Sequence, residues 1–376
     1  MESSLIKIRR WLCPFSFLYG IGVRTRNILF DWRILHSKSF DIPVISIGNI
    51  TVGGTGKTPH IEYLIRILQN NFKVGVLSRG YKRKSKGFLL INNDTNVKLS
   101  GDEPYQIKQK FPEVYMAVDK NRCHGIEELS KEKIAPGLGV ILLDDAFQHR
   151  YVKPGLNILL IDYNRLITHD KLLPAGQLRE PINGRYRAHI VIITKCPSNM
   201  KPMDFRVLSK QIDLLSYQNL YFSTLKYKDM APVFQETGLE SRALDSLDKD
   251  EHILLLTGIA SPKQMQQDLE AYTDHIETLT FGDHHNFTKA NIKLLKKRFD
   301  NIQAAKKIII TTEKDAARLI DLPWMDEDLK KNMYYLPIEV EFLQNQQETF
   351  NQTIIGYVRK NKRNGILSKA KNAYQS

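Results

Sequence analysis

Two stretches carry residues whose types and spacing could do chemistry on a polyphosphate. The first is Thr51-Val52-Gly53-Gly54-Thr55-Gly56-Lys57-Thr58, preceded by an apolar run over 42–47. Small residues let successive backbone N–H groups close around phosphate oxygens. A helix opening at Lys57-Thr58 would aim the positive end of its dipole at the same oxygens. In such a phosphate-binding loop, Lys57 reaches the β- and γ-phosphates and the Thr58 hydroxyl ligates Mg²⁺. The usual pattern opens with Gly, and here that position is Thr51. The second stretch, 140–145, is an apolar run ending in Asp144 and Asp145. In a P-loop protein such a pair supplies a carboxylate that helps hold Mg²⁺.

Further polar groups fall at places where a parallel α/β sheet presents ligand sites. Arg79 begins a basic loop after an expected strand over 73–78, at the carboxyl end where open α/β sheets bind ligands. Arg179 lies in the turn-rich loop 173–181 and could clamp a phosphate. Asp102 follows Gly101 at a helix start, where acidic residues also serve structure alone. His284 and His285 follow Asp283; the pair could bind metal, or could cap and pack.

The elements that must position these groups are legible from periodicity. Ile61, Leu64, Ile65 and Leu68 recur at helical spacing behind the glycine-rich loop. Apolar runs at 114–118, 157–162 and 190–194 read as further strands. Strands alternating with helices predict a doubly wound parallel sheet of the P-loop NTPase type. The pattern restarts beyond Cys196, with strands expected at 253–256, 276–281 and 307–311 and helices at 261–271, 289–299 and 316–320. This predicts three parts: an N-terminal helical segment over 1–39, a nucleotide-binding domain over 40–210, and a smaller α/β domain over 211–376. The tail from Arg359 reads as an exposed end.

The 376 residues carry a formal net charge of +14, which points to anionic partners: acidic lipid, a phosphorylated substrate or nucleic acid. No RNP-like, zinc-finger or helix-turn-helix signature accompanies that charge, so nucleic acid is not expected. Three well-separated cysteines argue against a zinc site or a disulfide framework. No uncharged apolar run is long enough to span a bilayer. Leu5, Ile8 and Leu12 share one helical face, and after Pro14 basic residues interleave with Phe, Tyr and Trp up to Leu35. That composition suits a helix lying in a membrane interface. A signal peptide and an ordinary packed helix are the alternatives.

The set of motifs resembles the tetraacyldisaccharide 4′-kinase family, the lipid A 4′-kinases of Gram-negative bacteria. The matching stretches are the 51–58 loop, Ser78-Arg79-Gly80-Tyr81, Gly101-Asp102-Glu103-Pro104, Asp144-Asp145-Ala146-Phe147-Gln148-His149-Arg150, the 173–181 loop, Asp283-His284-His285 and Thr312-Glu313-Lys314-Asp315. Two backbone-shaping positions depart from the family pattern: Ala146 stands in place of Gly, and Gly282 in place of Pro. The resemblance implies transfer of the ATP γ-phosphoryl to the 4′-hydroxyl of an acylated disaccharide 1-phosphate, a lipid A precursor. It implies Lys57, Asp102 and His284 as catalytic residues, with Asp102 accepting the hydroxyl proton and His284 orienting it. It implies Mg²⁺ on Thr58 and one of Asp144 and Asp145, and substrate contacts from Arg79 and Arg179. An acylated acceptor would place the protein on the cytoplasmic face of the inner membrane. A nucleotide-dependent switch or metallochaperone-like NTPase is the other reading. Neither Thr194-Lys195-Cys196-Pro197 nor Thr312-Glu313-Lys314-Asp315 fits the Asn-Lys-x-Asp pattern of guanine recognition.

Overall fold

The computed structural model describes residues 8–81, 83–92, 94–259, 262–283, 285–320 and 322–373, with side chains described as far as 361. The chain forms two compact units, Met1–Leu225 with Val340–Ser376, and Lys226–Glu339.

A nine-stranded sheet organises the first unit. Its strands run in the order Ile338–Phe342, Asn219–Tyr227, Ile190–Thr194, Leu156–Asp162, Val44–Gly48, Leu138–Asp144, Lys73–Ser78, Tyr115–Val118, Leu89–Leu90. Val44–Gly48 lies at the centre, parallel to Leu138–Asp144 on one side and to Leu156–Asp162 on the other. The strand order diverges at this point, so a crevice forms at the carboxyl ends of the central strands. Alternate side chains feed two cores. Ile45, Ile47, Val140, Leu142, Ile158 and Leu160 pack on one face, with Ile61, Leu64 and Leu68 of the helix Lys57–Gln69. Val44, Ile141 and Leu143, and further along Leu159, Ile161 and Val191, point to the other. Burial on both faces is why these strands read as unbroken apolar runs.

The division of the chain differs from the expected boundary at 210/211. Residues 211–225 and 340–376 belong to the first unit, because Asn219–Tyr227 and Ile338–Phe342 extend its sheet. The helix Gln347–Ala373 then buries Phe350, Ile354 and Val358 in that core, where Phe350 stacks on Phe342 at 4.3 Å. Helix runs on through the stretch from Arg359, where Arg359 and Lys360 are exposed. The second unit carries a five-stranded sheet in the order Ile276–Thr280, His252–Thr257, Lys307–Thr312, Met333–Leu336, Ala231–Pro232. Its two faces bury Leu254, Leu256 and Ile309 on one side and Ile253, Leu255 and Ile308 on the other.

The N-terminal segment is one helix, Cys13–Asp31, and Pro14 starts it instead of breaking it. A proline in the first turn lacks an N–H that would have no helical partner anyway. Ser16, Gly20 and Phe30 are buried against the body. Trp11, Phe15, Phe17, Leu18, Ile21 and Trp32 are exposed, Trp11 by 74% and Leu18 by 65%. Apart from Phe30, small residues thus face the protein, and Phe15, Phe17, Leu18 and Ile21 face outward. Leu5 lies outside the described residues.

Candidate active site

The glycine-rich loop leaves the carboxyl end of the central strand and enters the helix Lys57–Gln69. Gly53 (φ 118°) and Gly56 (φ 79°) occupy the left-handed region, and Gly56 is the N-cap. Thr51 needs no such freedom. It forms a β-bridge with Leu178, flanked by Val52 N–H donating to Gln177 O (2.8 Å) and Arg179 N–H to Ile50 O (2.7 Å). The first loop position is therefore held as extended backbone, where a side chain is tolerated. The same bridge brings the 173–181 loop against the phosphate-binding turn.

Asp144 ends its strand, and its Oδ2 accepts from Ser78 Oγ at 2.9 Å. Burial, reinforced by the nearby charges of Glu103 and Asp145, pushes its pKa up to about 7 against the pull of Lys57 and Ser78. Asp145 adopts φ 47°, a left-handed conformation that Asp tolerates better than most residues. That turn directs its carboxylate to Lys57 Nζ (3.7 Å) and Arg179 Nη1 (3.1 Å). Burial raises the Asp145 pKa, but Lys57, Arg179 and Arg122 together outweigh it and hold the carboxyl ionised below its ordinary range. Ala146, where glycine was expected, is buried with no positive φ, so a Cβ is accommodated there. Gly48 below it is constrained: a Cβ there would lie 2.9 Å from Phe147 Cβ, so glycine lets the acidic turn approach the central strand.

The donors fit Mg²⁺. Thr58, Asp144 and Asp145 offer hard oxygens, and no group of three or more His, Cys, Asp or Glu suited to a metal occurs among the described residues. Mg²⁺ typically takes one or two carboxylates and completes its shell with water and substrate phosphates.

A basic cluster borders this centre. Arg122, buried at the start of the helix Arg122–Leu129, donates from Nη1 to Asp119 O (3.2 Å) and from Nη2 to Asp144 O (3.3 Å). Burial first, then the charges of Arg122, Arg79 and Arg26, lowers the pKa of His149 to about 4. His149 Nε2 and Arg122 Nε are both buried without a hydrogen-bond partner among the described residues. Glu180, fully buried, accepts from Arg187 Nη2 through both oxygens at 2.8 Å. Periodicity singled out neither Arg122 nor Arg187; a lone arginine beside an Asn N-cap carries no motif.

Asp102 is the first residue of the helix Asp102–Lys110, with Gly101 (φ 90°) as N-cap. A Cβ on Gly101 would sit 3.0 Å from Tyr81 O, so the 79–81 loop bearing Arg79 packs directly on the turn bearing Asp102. The next residue, Glu103, is close enough for its charge to raise the Asp144 pKa. Lys57, Arg79, Asp102, Asp144, Asp145 and Arg179 are thus gathered at one end of the first sheet. His284 lies outside the described residues. His285 takes the structural role: its ring stacks on Phe281 at 4.5 Å and its Nε2 meets Asn291 Oδ1 at 3.0 Å. A Cβ at Gly282 would meet nothing within 4 Å, so no contact demands glycine there. Thr312 caps the helix Glu313–Leu319 by accepting from Asp315 N–H at 3.1 Å, and the Asp315 carboxylate accepts from Gly258 N–H at 2.8 Å.

The N-terminal helix grips the loops that carry the site. Tyr19 Oη donates to Arg179 O (2.7 Å), Arg26 Nη2 to Gln148 O (3.3 Å), and Ser16 Oγ to Leu172 O (2.9 Å). Between this helix and the 170–187 segment lies a cavity of about 890 Å³, lined by Phe17, Ile28, Leu172, Leu178, Ile182 and the basic residues Arg24, Arg150 and Arg187. Among the described residues, no helix is long and apolar enough to cross a membrane.

Fold and site together define a P-loop protein built for phosphoryl transfer. A family model described as LpxK, tetraacyldisaccharide-1-P 4'-kinase, matches residues 8–358. The tetraacyldisaccharide 4'-kinase of Phocaeicola vulgatus is 62% identical over 368 residues, covering 98% of this chain and all of its own. That of Bacteroides fragilis is 55% identical over 377 residues, covering both chains in full. The crystal structure of the "apo" form of LpxK from Aquifex aeolicus in complex with ATP superposes with a TM-score of 0.70 at 28% identity, covering 93% of this chain and 99% of that one. The chain belongs to the tetraacyldisaccharide-1-P 4'-kinase family.

Proposed function

We propose that the protein transfers the γ-phosphoryl group of ATP to the 4′-hydroxyl of a tetraacylated glucosamine disaccharide 1-phosphate, giving lipid IVA in lipid A biosynthesis. The observation that carries this reading is the Lys57–Asp145–Arg179 arrangement at the mouth of the phosphate-binding loop, in a chain of this family. Phosphoryl transfer needs in-line positioning and neutralisation of charge more than covalent chemistry. The 51–58 loop binds the polyphosphate through its amides, and Lys57 neutralises the β- and γ-oxygens. Thr58 and one of Asp144 and Asp145 would hold Mg²⁺, which would supply neutralisation of the phosphate charge. Arg79 and Arg179 bind phosphate or the sugar end of the acceptor.

Asp102 accepts the proton of the sugar hydroxyl, and His284 orients that hydroxyl; a carboxylate–imidazole pair is a competent general-base unit. The outward apolar face of the helix Cys13–Asp31 sits on the cytoplasmic leaflet of the inner membrane, where buried apolar area and attraction of basic side chains to anionic lipid both favour binding. The net charge of +14 serves that surface and the phosphorylated acceptor, not nucleic acid. The test is transfer of labelled γ-phosphate from ATP to the disaccharide 1-phosphate in mixed micelles. Label appearing only as inorganic phosphate, with none on the lipid, would overturn the assignment.

A further inference from the structure

Three successive carbonyls of the phosphate-binding loop, those of Gly54, Thr55 and Gly56, are each held by a side chain. Lys195 Nζ donates to Gly54 O, Thr194 Oγ1 donates to Thr55 O at 3.0 Å, and His60 Nδ1 meets Gly56 O at 2.7 Å. Each of these groups is itself fixed. Lys195, in the left-handed region at φ 58°, also pairs with Asp162 Oδ2 at 2.7 Å. Thr194 ends the strand Ile190–Thr194 and is fully buried. The His60 ring is buried too, and its Nε2 meets Ser223 Oγ at 3.0 Å. A carbonyl can only accept, so Nδ1 carries the proton and Nε2 accepts from the Ser223 hydroxyl. On the loop's own side chains, Asn49 Nδ2 donates to Thr55 Oγ1 at 2.9 Å.

Planar trans peptides turn this anchoring into a statement about the other side of the loop. Where a carbonyl is drawn one way, the N–H of the next residue is directed the opposite way. Fixing Thr55 O and Gly56 O therefore aims the N–H groups of Gly56 and Lys57 away from the strands Ile190–Thr194 and Asn219–Tyr227. We infer that Thr194, Lys195 and His60 are positioning residues for the nucleotide: Thr194 and His60 set the Gly56 and Lys57 amides in their phosphate-binding orientation before ATP arrives, and Lys195, whose partner carbonyl precedes the Thr55 N–H that donates to Gly53 O at 3.1 Å, holds the shape of the turn. An unbraced glycine-rich loop would have to be ordered by the ligand, and affinity would fall by the cost of ordering it. The arrangement also gives Thr194-Lys195-Cys196-Pro197 a use, since Lys195 serves the loop without any guanine-reading aspartate beside it.

This inference rests on the 51–58 loop being the ATP site, so the experiment separates the two. ATP binding is measured by calorimetry on the full chain with Mg²⁺, and KM for ATP and for the lipid acceptor is measured beside it. Thr194→Val removes the hydroxyl at constant shape, and Thr194→Ser keeps it. Lys195→Met keeps the stem and removes the amine. Thr194→Val and Lys195→Met should each raise Kd and KM for ATP about tenfold, the worth of one hydrogen bond. KM for the acceptor should stay within twofold, and Thr194→Ser should restore most of the ATP affinity. Melting temperatures establish which variants are folded. Folded variants with unchanged ATP affinity would overturn the brace, as would a Thr194→Ser variant as impaired as Thr194→Val. A wild-type chain that failed to bind ATP would remove the nucleotide site, and the brace with it.

Discussion

Lys57 and Asp145 sit 3.7 Å apart, so removing either should expose a different half of the site's logic. Lys57→Ala should fold, bind acceptor and lose about 10²–10³-fold in kcat, the range for deleting one preorganised electrostatic group. Near-normal turnover with intact ATP affinity would exclude the loop as the transferring site. Asp102 stands at the first helical position with Gly101 as the cap, where a carboxylate gains about 0.3–1 kcal/mol from the helix dipole. As a base, Asp102→Ala should instead cost about 10²–10⁴-fold in kcat with little loss in melting temperature. His284→Ala should act on the same step, and the double variant should fall short of the product of the single losses. A preserved kcat with a lowered melting temperature would sink the catalytic role of Asp102. His149 makes a pH prediction. Its folded pKa of about 4 lies below the unfolded value, so the unfolded chain binds more protons between pH 6.5 and 4. Its contribution is complete above 6.5 and drains away as pH falls toward 4. His149→Gln should flatten that part of the stability curve; an unchanged slope would place the effect elsewhere. The P-loop residues and the paired aspartates were legible because their chemistry fixes their spacing. Arg122 and Lys195 were not, because Asp144 O and Gly54 O reach them through the fold, and His60, though only four residues from Gly56, belongs to no pattern that marks it.

The helix Cys13–Asp31 shows the same contrast at the level of elements. Its composition suggested an interface helix, and the structure adds which side faces out. Replacing Trp11, Phe15 and Leu18, exposed by 74%, 58% and 65%, with Ser should release the protein from anionic vesicles in a flotation assay. The inward residues Ser16 and Gly20 remain, so melting temperature should hold. Unchanged flotation would assign the helix to packing alone. The central strands were readable within one or two residues because burial on both faces leaves a continuous apolar run. Asn219–Tyr227 and Ile338–Phe342 were not. Both carry polar or charged residues on half of their positions, and nothing local says that two strands more than a hundred residues apart join one sheet.

At the scale of the whole molecule, the first unit is written in two pieces around the second. Its sheet takes a strand at Asn219–Tyr227, the chain departs through 226–339, and it returns as Ile338–Phe342 and the helix that buries Phe350, Ile354 and Val358. Synthesis runs from the N-terminus, and domains tend to fold as units as they emerge. The interior unit can therefore be finished on the ribosome while the nucleotide-binding sheet still lacks an edge strand and part of its core. Nascent chains stalled so that residue 339 has just cleared the ribosome should yield a protease-resistant fragment near 226–339 yet fail to retain ATP. Release of a further twenty or so residues should switch ATP retention on. Competence to handle the nucleotide would then be withheld from every incomplete chain, and a half-made kinase would not spend ATP.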